Sequence, residues 1–435
     1  MRPETIVRPW LLAVAVGCAA ALQSSAASAQ AAPAPAAPPA DPAAAPPPPD
    51  IRPYAWIKPT IVLAGSPVES FGQPNASAVT AAGNPVLSAF PGAPGTQEEA
   101  SLTFQIAQSR LGFWFNEKGA VRGQFELDFI DFTKSSPTTG ALPRLRIGKV
   151  EWALSDSTVL MAGQDWDLFQ PVNPYTVDIV AVAFQAGNTA FMRHQAKLIW
   201  HNDSLEVGGA IGLAGINNAA KAAVPEYSRM PSFALRAAAL FGTAGRIGVS
   251  ALATSWRFAP DTPAERKALA GGVGLYGDVT PAERFNIRFE AYGGQNLANM
   301  GSLSLGQGNA AEDVKEIGGF LSAKYGFTDA HAVYGLFGLA KVLNDEDVVP
   351  AYAYANVMMG MTPAESAATV AGVGPGMTQN MTARLGYQYT LDKMVSVMAE
   401  GFFFQSEHVL NPDFDADIDG KRTAVGGELG IFFTL

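Results

Sequence analysis

Asp415, Asp417, Asp419 and Gly420, in the run DFDADIDG, have the spacing with which a calcium loop begins. Position twelve of that loop is Gly426 rather than a bidentate Glu, and a strand-like run follows instead of a helix. The three aspartates are therefore a candidate cation set with an acidic surface loop as the alternative. Gly272, Gly274 and Gly277 in GGVGLYG match the spacing of a dinucleotide fingerprint. That chemistry needs a strand before the glycines and a helix after them, whereas this run lies within alternating residues and reads as a chance match. His194, His201, His331 and His408 lie far apart and form no HExxH or HxxxH set, and no GxSxG run is present. No catalytic residue and no cofactor is expected. A barrel hydrolase with His beside Ser or Asp in space stays open, as does a surface adhesin.

The remaining chemistry is charge at every second residue. In SRLGFWFNEKGAVRGQFELDF, Ser109 to Phe129, Leu111, Phe113, Phe115, Val121, Phe125, Leu127 and Phe129 fall on one parity. Arg110, Arg122, Glu126 and Asp128 fall on the other, and the two runs meet at Asn116-Glu117-Lys118-Gly119. Period-two patterning of this kind makes strands with one apolar and one polar face. It recurs along the chain. Ile57, Ile61 and Leu63 oppose Tyr54, Lys58 and Thr60; Phe285, Ile287 and Phe289 oppose Arg284, Asn286, Arg288 and Glu290; Leu385, Tyr387 and Tyr389 oppose Arg384 and Gln388.

The elements that position these charges are short strands with unequal connections. Tight polar turns are expected at 116–119, 155–157, 202–204, 242–245, 279–282, 327–330 and 391–393. Longer Gly/Pro/Ala/Asn-rich stretches lie near 66–100, 169–189, 215–230, 258–267, 295–314, 343–378 and 406–420, too long for ordinary hairpins. Short connections on one side and long on the other are the habit of membrane barrels. Residues 51–435 hold about 16 strands, roughly 24 residues each with connection. One half-buried hairpin decides nothing, because soluble sheets alternate too. About 16 such strands with no helix to cover their apolar faces have one economical solution, a closed antiparallel β-barrel in lipid. The expected fold class is therefore all-β and transmembrane.

Composition agrees. The 435 residues are 48% hydrophobic and 16% charged, with net charge −10 and 44 Gly, which argues against nucleic acid as a partner. Arg2 and Arg8 flank the apolar run WLLAVAVGCAAAL, and Ala27-Ser28-Ala29 forms a small-residue cleavage site. Residues 1–29 read as a secretory signal peptide; lipidation of Cys18 is the rival reading. Cys18 is the chain's single cysteine, so cleavage leaves no thiol for a disulfide or Cys–metal site. Residues 30–50 are a Pro/Ala-rich periplasmic linker of roughly 60 Å as polyproline II, a spacer or a contact with the cell wall. No segment has the 18 or more apolar residues of a membrane helix.

On these residues the chain resembles the Gram-negative trimeric porins, the 16-stranded outer-membrane diffusion channels. SRLGFWF resembles that family's second strand, LRIGKVEWAL its fourth, and LMAGQDWDLFQPVNPYTVDIV its fifth strand running into the third loop. FMRHQAKLIW resembles the strand that follows. The resemblance covers most of residues 54–200, and only the strand rhythm beyond. It implies a homotrimer among outer-membrane lipid and lipopolysaccharide, passing small hydrophilic solutes and ions. It also implies a third loop folded into the lumen, with basic wall residues facing loop acids across a constriction. Carried over by motif, the wall residues are Lys58, Arg110, Arg146 and Arg193, and the loop acid is Asp178. Further lumen candidates are Arg122, Arg144, Asp165, Asp167, Arg288 and Arg384. A substrate-selective anion channel, for phosphate or dicarboxylates, would use Arg110, Arg122, Arg146, Arg288 and Arg384. The chain departs from the family in lacking a Pro-Glu-Phe-Gly-Gly run in that loop, where AVAFQAGN stands, and in ending on Leu435 rather than Phe.

Overall fold

Proline 59 has no N–H to donate to a ladder, and the first strand breaks beside it into β1 (Ile51–Ile57) and β2 (Thr60–Ala64). The next breaks likewise into β3 (Ser101–Gln105) and β4 (Arg110–Phe115). The computed structural model describes residues 50–65, 100–129, 143–169, 171–178, 186–188, 192–213, 230–258, 266–297, 313–345, 377–408 and 421–435. The leader, almost all of the linker and the aspartates 415, 417 and 419 lie outside them. The chain continues as β5 (Val121–Asp128), β6 (Arg144–Ser155), β7 (Thr158–Trp166), β8 (Met192–His201), β9 (Leu205–Gly212), β10 (Ser232–Leu240) and β11 (Gly245–Phe258). Then come β12 (Arg266–Ala282), β13 (Phe285–Gln295), β14 (Lys315–Gly326), β15 (His331–Val342), β16 (Met377–Thr390), β17 (Val395–His408) and β18 (Lys421–Thr434).

Every pairing is antiparallel and the sheet closes. β1 pairs with β4 on one side and with β18 on the other, at Trp56↔Thr434 and Ile57↔Phe433. β2 pairs with β3 and with β18 through Thr60↔Gly430 to Ala64↔Gly426. Since β1–β2 and β3–β4 are each one interrupted stave, the eighteen segments form a closed barrel of sixteen. Both ends of the barrel chain lie with the short turns: Leu435 N donates to Ala55 O at 2.9 Å, and Thr434 N to Met394 O at 2.8 Å.

The turn expected at 279–282 is instead at residues 283–284. Asp278-Val279-Thr280-Pro281 has turn composition, yet β12 runs on to Ala282, opposite Phe285, with a ladder irregularity between Val279 and Ala282. That irregularity accommodates the proline, and Arg284 takes the left-handed turn conformation, φ 64°. One more long connection than expected joins β5 to β6, across 129–143. GGVGLYG lies inside β12, and a Cβ at Gly277 would collide with the Phe289 ring on the neighbouring strand.

Apolar side chains point outward around the whole ring. Val273 is 66% and Leu385 72% exposed, and Leu63, Leu102, Leu235, Val249 and Val425 are similarly bare. Burying one such side chain is worth about 1.5–3 kcal/mol, so leaving dozens in water would be ruinous, whereas acyl chains take them at no cost. Among the described residues no helix is long and apolar enough to cross a membrane; this chain crosses with strands. One stave changes parity midway. Leu102, Phe104 and Ile106 face out at even positions, Leu111, Phe113 and Phe115 at odd ones. The switch occurs in the break at 106–109, and it turns Gln108, Ser109 and Arg110 inward in succession.

Candidate functional site

On the inner face of β4 to β8 the ladder register sets opposite charges side by side. Arg144 stands opposite Asp128 and holds it in two bonds of 2.9 and 2.6 Å. Arg122 stands opposite Glu151 and pairs with it at 2.6 Å. Arg146 donates to Glu126, Lys149 pairs with Glu151 at 2.8 Å, and Asp165 accepts from Lys197 at 2.7 Å. All but Lys149–Glu151, which lies within β6, are cross-strand pairs, and those contribute roughly 0.2–1 kcal/mol each. The cations also lie over aromatic rings: Arg110 over Trp56 at 4.8 Å, Arg146 over Trp166 at 5.0 Å and Lys149 over Trp114 at 5.8 Å. A flat guanidinium packed on indole keeps its hydrogen-bonding edge available while its face is dry.

The segment 171–178, after β7, runs over the polar-face side chains of β13 to β17. Irregular backbone has no ladder to receive its N–H groups, so buried side chains must do so. Glu290 accepts from Val172 N at 2.6 Å and from Asn188 Nδ2 at 3.1 Å. The Ser322 hydroxyl accepts from Tyr175 N at 3.0 Å, and the Tyr175 hydroxyl donates to Asn286 Oδ1 at 2.8 Å. Glu400 accepts from the Thr176 hydroxyl and from Val177 N, both at 3.0 Å, and from Arg384 at 2.8 Å. Apolar contacts add to these. Leu168 and Phe169 pack with Ala234, Leu252 and Tyr292; Val172 packs with Tyr276 and Phe320; Val177 packs with Tyr334 and Met398. A Cβ at Gly430 would stand 2.8 Å from Val177 Cγ1, so glycine makes room for the segment there.

Much of the face opposite the apolar exterior is therefore itself apolar and filled. The polar face expected of each strand is charged on β4–β8 and mixed on β10–β15, where Ala234, Leu252, Tyr276, Phe320 and Leu336 lie among Ser250, Glu290 and Ser322. In SFALRAAAL the inner parity of β10 carries Ala234, Ala238 and Leu240 beside Ser232 and Arg236, and the alanines and leucine on that side are a signal that part of the inner face there is covered.

A cavity of about 730 Å³ occupies the charged side. Five basic and three acidic side chains border it, with Trp56, Trp114 and Trp166 between them and Asn173, Pro174, Thr176 and Asp178 on the segment's side. Of the residues expected from sequence, Arg110, Arg146, Arg288, Asp165 and Asp178 border this cavity. Arg288 lies over the Tyr175 ring at 4.2 Å. Lys58 does not border it: it is fully buried, donating to Gln108 and to Glu428 at 3.4 Å. Arg193 is held by Asp167 at 2.9 Å, Arg384 by Glu400, Arg122 by Glu151 and Arg144 by Asp128. Asp178 borders the cavity yet is itself fully buried, accepting from Gln108 Nε2 at 2.8 Å. At the short-turn end Arg52 holds Glu117 in two bonds of 2.7 Å. Those bonds keep the Glu117 carboxyl below its ordinary range. Sequence reasoning missed Gln108, Glu428 and the tryptophans. The five-residue step from Ile106 to Leu111 was the visible sign that polar residues between them turn inward.

Sixteen antiparallel staves closed into a ring, greasy outside and charged on one inner wall, define an outer-membrane β-barrel of the porin type of fold. The outer membrane channel DcaP of Acinetobacter baumannii superposes with a TM-score of 0.64 at 12% identity, over 89% of this chain and 97% of that one. The anion-selective porin from Comamonas acidovorans gives 0.51 at 10% identity, over 89% and 100% of the two chains. OprB of Pseudomonas putida gives 0.50 at 10%, over 89% and 94%. At such identities the likeness is one of fold. No family model matches the sequence, and no curated protein matches it.

Proposed function

We propose that this chain is an outer-membrane porin, exported by the leader 1–29 and assembled as a homotrimer, through which small hydrophilic solutes and ions diffuse passively. The observation that carries this reading is the charged cavity enclosed by a barrel whose outer face is apolar. In it, segment 171–178 belongs to a third long loop folded into the lumen, leaving the solute path against β1 and β4–β7. Arg110 and Arg146 form the basic wall of the constriction and Asp178 its acid. Lys58 and Arg193 serve as anchors for loop and wall. A charged passage with low-dielectric sides focuses the field on whatever crosses it.

A second reading, preference for anions, is favoured by the five basic against three acidic side chains that border the cavity. It also accords with the anion-selective porin among the similar folds. One unit charge about 6 Å from a permeating ion, screened by salt at physiological ionic strength, favours one ion and disfavours the other by enough to change the anion-to-cation permeability ratio about threefold. Arg110→Ala and Arg146→Ala should each lower the anion-to-cation ratio by about that factor, and Asp178→Asn should raise it. Reversal potentials across planar bilayers in a salt gradient measure this. Indifference of selectivity and conductance to all three changes rejects the site, and a protein that carries no current rejects the channel.

A further inference from the structure

The break at 106–109 does more than change parity. Its backbone is closed by Ser109 N donating to Ile106 O at 3.0 Å and Phe129 N donating to Ala107 O at 3.1 Å. The neighbouring break, at Lys58-Pro59, lies directly beside it, and Lys58 N donates to the Ser109 hydroxyl at 2.9 Å where a ladder bond would have been. Two adjacent staves thus share one defect, and into it point the side chains of Lys58 and Gln108, both fully buried. Lys58 Nζ donates to Gln108 Oε1, and Gln108 Nε2 donates to Asp178 Oδ1 at 2.8 Å.

We infer that Gln108 is the positioning residue for Asp178, an amide spacer that ties the loop acid to the defect in the wall and sets where its charge acts on the cavity. This rests on the reading of Asp178 as the constriction acid. The chemistry suits the task. A primary amide offers one acceptor and two donors, so it can receive the ammonium on one side and support the carboxylate on the other. Direct Lys58–Asp178 contact would instead neutralise the acid. With the spacer present, Lys58 remains within reach of Glu428, and Asp178 borders the cavity together with Thr176. A buried amide donor is also uncharged, so it fixes the carboxylate's place without removing its field. On a regular strand alternation would leave only one of residues 108 and 109 facing inward, whereas here Gln108 reaches Asp178 while Ser109 accepts from Lys58 N.

The test is a double-mutant cycle read as ion selectivity. Asp178→Asn, Gln108→Leu and the double variant are refolded and inserted in planar bilayers, with Gln108→Glu as a second substitution at the same place. Expected is a roughly threefold shift for Asp178→Asn alone, shrinking to under half of that in the Gln108→Leu background, where the acid no longer holds its place. Gln108→Glu, which sets a carboxylate against Asp178, should weaken the Asp178→Asn effect as well. A shift of equal size in all backgrounds overturns the positioning role and leaves Asp178 as constriction acid. No shift for Asp178→Asn in any background removes both.

Discussion

Arg384→Met is expected to cost the folded barrel about 3–5 kcal/mol, the usual penalty for leaving a buried charge without its partner. Neither side chain of the Arg384–Glu400 pair is exposed at all, and they meet at 2.8 Å. Glu400 also receives the Thr176 hydroxyl and the Val177 N–H, so the unpaired carboxylate would sit at the point where the segment is fastened. Two consequences should appear together: a lower midpoint in urea, and noisier single-channel current as the segment loosens. The double variant Arg384→Met/Glu400→Gln separates charge from contact. The amide keeps an acceptor for Val177 N–H while the buried charge is gone, so the penalty should fall to about 1–3 kcal/mol, the cost of imperfectly met hydrogen bonds. Tryptophan fluorescence during urea unfolding from lipid vesicles measures both. A single variant within 1 kcal/mol of the parent, or a double variant no better than the single, would mean that water reaches the pair.

Val273→Arg should destabilise by about 2–4 kcal/mol when the protein is folded into vesicles. Val273 lies at the middle of β12 and is 66% exposed on the outward face. At that depth an arginine meets hydrocarbon, and its side chain is short of the headgroups. Leu391→Arg makes the comparison. Leu391 is 55% exposed, in the turn after β16 at the short-turn end, where the same substitution should cost about 0–1 kcal/mol. On a water-facing surface both changes would fall within about 0.5 kcal/mol. Equal small effects at the two depths would therefore contradict a lipid environment for the outer face.

Much of the barrel is legible in the sequence itself. Alternation in β4 and β5 places Leu111, Phe113 and Phe125 on one side and Arg110 and Glu126 on the other, because successive residues of a strand must point oppositely. Turn chemistry located six of the seven tight connections closely. The seventh failed because Pro281 can sit in a ladder irregularity as well as in a turn. The site was legible in part. Parity alone put Lys58, Arg110 and Arg193 on the inner side, but parity has no power to say how deep a residue lies or what it meets there. Lys58 and Arg193 proved to be engaged by Gln108, Glu428 and Asp167, whereas Arg110 and Arg146 border the cavity.

Local pattern was enough for the class of fold and for which face of each strand is greasy, since both follow from period two and from the cost of exposing apolar area. Contacts between distant residues were not encoded in that way. Glu400 meeting Val177 and Gln108 meeting Asp178 depend on where closure of sixteen staves brings residues more than two hundred, or seventy, positions apart. So does the apolar packing of Leu168 and Phe169 against β10–β13, which fills one side of the interior and leaves the cavity on the other. Such choices are made by packing and by the need to satisfy buried polar groups, and those act only once the ring has closed.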